Sequence, residues 1–390
     1  MPPSGETARA PELRVLSSSP LRVVDVALWY GERSGGIRTY LDAKVAHAER
    51  TGAFEHHVIV PGRRERHEAR HHELPSLRVA TSNGYRLPLT AGPMRRTLRA
   101  VRPDVVLLHD PYWAPVETAA VAHEIGARVV AVHHASSAHN AHGLPGPTRL
   151  YQPILQSWFR HAYGAVDGIM SAIDPGSDSD RPVTLTLRFG LDSAFFPRAD
   201  GERGRHVLYV GRLSREKGVF ELLEAAALEG SDWPLTFVGT GPAEDALAVR
   251  ARRLGLSDRV ELLPFVNDRE TLADVYAAAS CVVMPGAFET FGLVALEAAA
   301  CGARVVACRN APSAALAPEL VDTFSPGDVA GLARAVARAR AAPRNLVAAE
   351  RLTERSTWER AFEAEIADLE RLVGARPAER PLGAAAATAP

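Results

Sequence analysis

The chain has 390 residues, and 45 lysines and arginines against 46 aspartates and glutamates give a formal net charge of -1. This length suits two domains, and the balanced charge gives no global sign of nucleic-acid binding. No stretch approaches the roughly 20 apolar residues of a membrane span, and the first residues lack the apolar core of a signal peptide. Cys281, Cys301 and Cys308 lie in apolar runs without metal-ligand spacing. We therefore expect a soluble, cytoplasmic protein with buried thiols.

Short β-branched runs alternate with helix-length segments through the first half. The pattern predicts a helix from about Gly36 and strands at residues 21–28, 58–60, 105–108 and 128–132. From about 175 to 205 the sequence is polar and rich in turn residues, apart from a short apolar piece at 183–189. The alternation then resumes, with strands predicted at 206–210, 235–238, 260–262, 281–284 and 304–307. Such alternation is typical of βαβ units on parallel sheets.

The sequence therefore predicts an α/β protein with two doubly wound, Rossmann-like domains at residues 1–198 and 199–356. A terminal helix at 357–374 is expected to pack back on the first domain, and 375–390 reads as a disordered tail. Two open sheets that face each other place their ligand site in the crevice at the carboxyl ends of the strands. Motifs at strand ends are therefore the candidates for function.

The first such motif is G-R-L-S-R-E-K-G at residues 211–218, between a strand and a helix. Glycines such as Gly211 let the backbone approach a ligand, and the helix N-terminus offers unpaired N–H groups. Arg212 and Lys217 can neutralise two linked phosphates. Taken alone, the motif is equally compatible with a solvated basic turn.

The next predicted strand ends in V-G-T-G-P, with glycines at Gly239 and Gly241. A dinucleotide-binding fingerprint would need a third glycine where Glu244 stands. The motif therefore favours a tight turn that brings backbone close to a nucleotide or a sugar, and argues against a Rossmann dehydrogenase.

The third motif, M-P-G-A-F-E-T-F-G-L-V-A-L-E at 284–297, carries Glu289 before a predicted helix and Glu297 in its second turn. Both carboxylates can accept hydrogen bonds from hydroxyl groups, one for each of two sugar rings. The N–H groups of Phe291, Gly292 and Leu293 can face a phosphate. The alternative is a helix-capping carboxylate plus an exposed glutamate.

Taken in this order, G-R-x4-K-G, V-G-x-G-P and E-T-F-G-x4-E resemble glycosyltransferase family 4, a retaining family whose GT-B fold has two Rossmann-like domains facing across a cleft. The resemblance extends from about residue 21 to 373. It implies an acceptor-side first domain and a second domain in which Arg212 and Lys217 bind the donor diphosphate. Glu289 would contact the donor sugar, Glu297 would bind the ribose, and backbone near Phe265 and Val266 would border the base.

The same resemblance assigns residues of the first half. Gly35 and Gly36 stand where the family has a Gly-Gly loop near the donor phosphate, although an ordinary helix-start turn explains them as well. His134 would lie near the reacting carbon, with His133 as the alternative by a one-residue shift. The catalytic candidates are His134, Glu289, Arg212 and Lys217. The donor-binding candidates are Gly35, Gly36, Gly211, Gly239, Gly241, Val266, Thr290, Phe291, Gly292, Leu293 and Glu297.

Two patterns superficially suggest a metal. His133, His134, His139 and His142 lack companion carboxylate or cysteine spacing, so we do not interpret them as a zinc site. Asp178-Ser179-Asp180 lies among serine, glycine and proline and is interpreted as a solvated loop. No metal and no cofactor are expected; the nucleotide sugar is a co-substrate.

Residues 63–102 contain ten arginines and three glutamates, a local excess of seven positive charges. Such a region is attracted to an anionic acceptor or an anionic membrane surface, where each basic group contributes about 1 kcal/mol. A solvated basic face explains the same cluster. Peripheral membrane contact is therefore a secondary expectation.

We expect a retaining transfer of a mannosyl, glucosyl or N-acetylglucosaminyl unit from a UDP or GDP sugar to a glycan, lipid or small-molecule hydroxyl. Two alternatives remain at this point. One is a catalytically silent, nucleotide-sugar-binding subunit, and the other is a nucleotide-sugar epimerase of the GT-B fold. Nucleotide, sugar, acceptor, linkage and oligomeric state have no legible signal in the sequence.

Overall fold

A computed structural model describes most of the chain. The described residues are 19–31, 35–78, 85–109, 111–142, 147–172, 175–181, 183–198, 203–287, 289, 292–315 and 317–374. The predicted tail at 375–390 and the candidate donor contacts Thr290 and Phe291 therefore lie outside the described residues.

The first half is built around a largely parallel sheet. Its strands are β1 (Arg22–Val26), β2 (Glu55–Gly62), β3 (Arg66–Glu68), β4 (His71–Arg78), β5 (Arg86–Pro88), β6 (Val105–His109), β7 (Arg128–His133), β8 (Gly168–Ser171) and β9 (Leu185–Thr186). Their order is β3-β4-β2-β1-β6-β7-β8-β9, and β5 pairs with β4. The β3–β4 and β4–β5 pairs are antiparallel. The central strands are buried on both faces, as the apolar sequence runs predict.

Helices cover both faces of this sheet. They are α1 (Gly36–Thr51), α2 (Gly92–Val101), α3 (Pro115–Glu124), α4 (Ser137–His142) and α5 (Thr148–Gly164). One apolar cluster joins Val23 and Val58 to Tyr40 of α1, and another joins Val24 and Ile59 to Leu98 of α2.

The second half repeats the architecture. Its strands are β10 (Val207–Val210), β11 (Leu235–Val238), β12 (Val260–Leu263), β13 (Cys281–Met284), β14 (Val305–Cys308) and β15 (Val321–Phe324). Their order is β12-β11-β10-β13-β14-β15, all parallel. The helices are α6 (Val219–Ala226), α7 (Glu244–Arg253), α8 (Arg269–Ala278), α9 (Leu293–Ala300), α10 (Val329–Ala341), α11 (Leu346–Arg355) and α12 (Trp358–Gly374).

The last helix returns to the first half. Whereas α11 packs on α9, α12 packs on α1, where Phe362 is fully buried in the apolar cluster of the first sheet. Leu191 pairs with Thr357 at the point where the chain crosses back, and a side-chain carbon on Gly190 would lie 2.2 Å from the backbone nitrogen of Trp358. The strand order in each sheet is that of a doubly wound fold.

One interpretation of the sequence is wrong. Asp178 does not belong to a solvated loop, because its side chain is only 2% exposed and its carboxylate accepts hydrogen bonds from the backbone N–H and the hydroxyl of Ser137. Composition alone misses this, since the partner lies 41 residues earlier in the chain. Asp178 therefore stabilises the first turn of α4, and only Asp180 in that tripeptide is exposed.

Candidate active site

The turn after β10 lies directly against the loop after β13. Gly218 adopts a left-handed backbone (φ +72°), and a side-chain carbon there would lie 2.8 Å from the carbonyl carbon of Pro285. A side-chain carbon on Gly286 would lie 3.2 Å from the Cα of Lys217, a tight contact that a small backbone shift would relieve. The Gly218 contact requires glycine, and together the two contacts hold the strand ends close enough for their side chains to share a ligand.

The V-G-T-G-P turn, which follows β11, packs against the turn that follows β10. A side-chain carbon on Gly239 would collide with the carbonyl oxygen of Gly211, and one on Gly241 with that of Leu213. Backbone hydrogen bonds from Gly211 to Val238 (3.0 Å) and from Leu213 to Thr240 (3.0 Å) join the two turns. These glycines therefore serve close backbone packing between β10 and β11, a use that the expectation of ligand approach did not include.

Lys217 and Glu289 come together at this edge. The Lys217 ammonium lies 3.0 Å from a carboxylate oxygen of Glu289, and both side chains are largely buried. Arg212 stands at the start of the same turn; its side chain is exposed, and its carbonyl oxygen accepts a hydrogen bond from Tyr209. The pairing of Lys217 with Glu289 joins two residues that are 72 positions apart and that the motifs selected separately.

Glu297 lies in α9 and is only 7% exposed. Tyr276 donates its hydroxyl hydrogen to one carboxylate oxygen (2.9 Å), and Arg269 lies 3.3 Å from the other. Burial raises the pKa of Glu297 to about 7, although Arg269 and the Tyr276 hydrogen bond both act to lower it. A carboxyl that titrates near neutrality in a crevice is a typical feature of a functional site.

Arg269 also links the two halves of the chain. Its guanidinium reaches Thr39 in the first turn of α1, with 3.5 Å between nitrogen and hydroxyl oxygen. Gly35 and Gly36 stand at the start of that helix, Gly35 as its N-terminal cap. One arginine thus joins Glu297 to the first turn of α1, the helix that the glycine pair opens.

The two neighbouring histidines at the end of β7 have different surroundings. His133 places Nδ1 2.6 Å from the Tyr163 hydroxyl on the α5 side of the sheet. His134 places Nε2 2.8 Å from Nδ1 of His109, the last residue of β6, and His109 places its Nε2 2.6 Å from Asp25 in β1. Burial, together with the neighbouring imidazoles His109 and His133, holds the pKa of His134 well below its usual range. His134 is therefore buried and neutral near pH 7.

The remaining donor-site candidates border the same region. Gly292 caps α9 in a left-handed conformation, Leu293 begins that helix, and both Leu293 and Val266 pack against the apolar cluster beneath Glu297. Phe265, by contrast, is 67% exposed. Across the described residues, no three histidine, cysteine, aspartate or glutamate side chains converge as a metal site would require.

Sequence reasoning missed Arg269 and Tyr276, and it missed the Asp25–His109 connection to His134. The sequence does carry a signal for the Asp25–His109 connection: Asp25 is a lone acidic residue inside an apolar strand, and His109 ends another apolar strand. For Arg269 and Tyr276 the only sequence signal is a helix start after Asp268, which does not indicate a ligand.

Two open, largely parallel sheets with glycine turns, paired charges and a buried carboxyl at their strand ends define a GT-B glycosyltransferase, and comparisons with known proteins agree. The family described as "Glycosyl transferases group 1" matches residues 193–345, and "Glycosyltransferase Family 4" matches residues 34–171. The chain belongs to glycosyltransferase family 4 and is a glycosyltransferase enzyme.

Curated relatives include a GDP-mannose-dependent alpha-(1-6)-phosphatidylinositol dimannoside mannosyltransferase of Mycobacterium tuberculosis, 32% identical over 74% of this chain and 80% of the relative. A glycogen synthase of the same species is 32% identical over 67% of each chain. Sucrose-phosphate synthase from Thermosynechococcus elongatus superposes with a TM-score of 0.66 at 18% identity, over 90% of this chain and 97% of that one. Anabaena HepE in complex with UDP superposes with a TM-score of 0.64 at 16% identity, over 90% and 100%. These structures share the GT-B fold.

Proposed function

We propose that the chain transfers a hexosyl unit from a nucleoside diphosphate sugar to a hydroxyl acceptor, with retention of the anomeric configuration and without a metal ion. The observation that carries the proposal is the Lys217–Glu289 pair, 3.0 Å apart where β10 and β13 end, on the same edge as the buried Glu297. A cation for phosphate and two carboxylates for hydroxyl groups match the three parts of such a donor.

Donor binding divides these groups. Lys217 and Arg212 bind the diphosphate. The N–H groups at the N-terminus of α9 also favour its negative charge. Lys217 then shares its charge between phosphate and Glu289, which leaves the Glu289 carboxylate to accept from the sugar hydroxyls. Glu297 accepts from the ribose hydroxyls in place of the Arg269 contact that it makes in the ligand-free protein.

Retention is what the resemblance to the family implies, and the described residues of this edge bear on the route by which it is achieved. Glycosidases that retain configuration use a second carboxylate about 5 Å from the first as a nucleophile, whereas Glu289 is engaged by Lys217. We therefore propose a front-face route in which the acceptor hydroxyl arrives on the side that the leaving diphosphate vacates. Arg212, Lys217 and the α9 N-terminus stabilise the charge on the leaving group, so no metal is needed.

The donor is a UDP or GDP hexose, and GDP-mannose is the first to test because one relative is named for it. The acceptor side is the carboxyl edge of the first sheet, where His134 lies. Three aromatic rings meet there: Trp29 after β1 lies 4.8 Å from Tyr85 and 6.4 Å from Tyr112, between ring centroids. They offer an apolar surface for a glycan, lipid or small-molecule acceptor.

The basic region also carries exposed leucines. Leu77 and Leu87 lie opposite each other in the β4–β5 strand pair and are 62% and 49% exposed. Arg78 lies opposite Arg86 in the next register position. Part of the positive excess is neutralised, since Arg96 pairs with Glu65. Exposed leucines between arginines suit a peripheral contact with an anionic membrane. Salt-sensitive sedimentation with anionic, but not neutral, lipid vesicles is the expected result.

No helix in the described part of the chain has the length and apolarity to cross a bilayer.

The two glutamates give the sharpest test of donor orientation. Glu289→Gln should reduce turnover yet leave binding of the bare nucleoside diphosphate nearly intact, because its partner is the sugar. Glu297→Gln should weaken both ligands by about 1–3 kcal/mol, since an amide nitrogen cannot accept the ribose hydrogen bond. The exposed Glu370→Gln on α12 is the matched control and should change neither affinity. Equal loss of bare-nucleotide affinity in Glu289→Gln and Glu297→Gln would refute the orientation.

A further inference from the structure

Beneath His134 lies a network of ionisable side chains that none of the motifs contains. Asp25, Lys44 and His109 have no solvent exposure, and Glu365 of α12 is 1% exposed. Lys44 places its ammonium 2.9 Å from Asp25 and 2.7 Å from Glu365, so one cation contacts two acidic side chains from opposite ends of the chain. Burying so many charged groups carries a large desolvation penalty unless every contact is satisfied, which gives each group little freedom of orientation.

Asp25 is the centre of this network. Its Oδ2 receives both Nε2 of His56 (2.6 Å) and the Lys44 ammonium (2.9 Å), and its Oδ1 receives Nε2 of His109 (2.6 Å). Burial acts to raise the pKa of Asp25, but Lys44 and the two imidazole hydrogen bonds hold it well below its usual value. The group is a carboxylate at any working pH and can only accept hydrogen bonds.

This constraint passes along the chain of contacts. Because Asp25 only accepts, His109 donates to it from Nε2, and the neutral form of His109 then carries its lone pair on Nδ1. The Nδ1 of His109 lies 2.8 Å from Nε2 of His134, so opposite this form of His109 the His134 ring donates from Nε2 and bears its lone pair on Nδ1. The two rings also lie nearly parallel, with 4.9 Å between centroids, which keeps the second ring in a fixed orientation.

We infer that Asp25 and His109 are positioning residues for sugar transfer, which fix the ring orientation and the tautomer of His134. This inference rests on the proposed function for the role of His134, but the tautomer itself is a property of the ligand-free protein. A carboxylate that holds a histidine in one tautomer through the opposite ring nitrogen is a known means of preparing it for reaction.

Asp25→Asn provides the test. Lys44 cannot accept a hydrogen bond, so the amide oxygen must take the Oδ2 position and the amide NH₂ must face His109. His109 then accepts on Nε2 and donates from Nδ1, and His134 accepts on Nε2 and carries its hydrogen on Nδ1. One substitution of nearly equal size therefore reverses both tautomers.

The measurement is ¹⁵N NMR of histidine-labelled, ligand-free protein at about pH 8, which distinguishes the two neutral tautomers. Wild type should show His109 and His134 both with the hydrogen on Nε2, and Asp25→Asn should show both on Nδ1. With GDP-mannose or whichever donor supports transfer, kcat should fall by about 10- to 100-fold, by analogy with the loss of groups that orient metal-ligating histidines. Affinity for the bare nucleoside diphosphate should not change.

Two further variants separate positioning from a general structural effect. Glu365→Gln makes the same carboxylate-to-amide change in the same network, contacting Lys44 and Tyr40 but neither imidazole, so it should leave tautomers and kcat unchanged even if it lowers stability. His109→Gln can still donate to Asp25 and accept from His134, and it should keep the His134 tautomer and more activity than Asp25→Asn.

A wild-type His134 with its hydrogen on Nδ1, a doubly protonated His109, or an equal loss of kcat in Glu365→Gln and Asp25→Asn would each overturn the inference. If Asp25→Asn does not fold, the wild-type spectrum and His109→Gln still decide it. A protein that shows these tautomers but transfers no sugar would contradict the proposed function alone.

Discussion

The ionisation of Glu297 should make the fold less stable at alkaline pH, and Glu297→Gln should remove that effect. The folded chain holds this carboxyl at a pKa of about 7, against an ordinary 4.5, mainly because it is buried. Between these two values the unfolded chain releases the proton while the folded chain keeps it, so the free energy of unfolding falls as pH rises. At about 1.4 kcal/mol per pKa unit, the full loss above pH 7 is about 3 kcal/mol.

The assay is urea unfolding of wild type and Glu297→Gln at about pH 5 and about pH 8. Subtracting the two proteins at each pH removes the titration of all other groups, and the variant should gain about 2–3 kcal/mol relative to wild type between the two conditions. Glu370→Gln, exposed on α12, should show no such gain. A difference that is the same at both pH values would mean that folded Glu297 is already ionised in acid, and would refute the reasoning.

Three other outcomes follow from the same contacts. Lys217→Ala should weaken nucleoside diphosphate binding by about 1.5–3 kcal/mol in calorimetry, since a charged hydrogen bond is lost. Arg212→Lys should weaken it less, because a cation remains at that position. Unchanged affinity in both variants would refute the phosphate assignment. Transfer should persist in EDTA, and a loss that manganese or magnesium restores would show that the reaction uses a metal. Asp178→Asn should lower the free energy of unfolding by about 1–3 kcal/mol through its contact with Ser137, with no change in donor affinity; a donor-affinity loss without destabilisation would contradict that structural role.

The strands that carry the donor motifs could be predicted closely from the sequence. Those predicted at 235–238 and 281–284 match β11 and β13 residue for residue, because each is a short apolar run buried on both faces and ended by glycine or proline. Short strands outside the centre of the sheet were harder: β3 is Arg-His-Glu and β5 is Arg-Leu-Pro, and neither three-residue strand was predicted. Partial burial leaves such strands without the apolar run on which the prediction depends.

The side-chain contacts between distant parts of the chain could not be predicted from the sequence. Asp25 and His109 lie in β1 and β6 and His134 directly follows β7, and their contacts span 84 and 25 residues of sequence. Their meeting depends on the strand order β1-β6-β7 and on which face each side chain takes, and periodicity alone gives neither. The burial of Asp178 was missed for the same reason, since its partner Ser137 lies in a different element.

The central claim is retaining transfer from a nucleoside diphosphate sugar, and the anomeric configuration of the first product tests it most directly. Proton NMR should follow the protein with GDP-mannose, and with UDP-glucose in parallel, in the presence of a panel of hydroxyl acceptors. The account predicts release of the nucleoside diphosphate together with a product of the same anomeric configuration as the donor. An inverted product, or donor rearrangement without any acceptor, would contradict it.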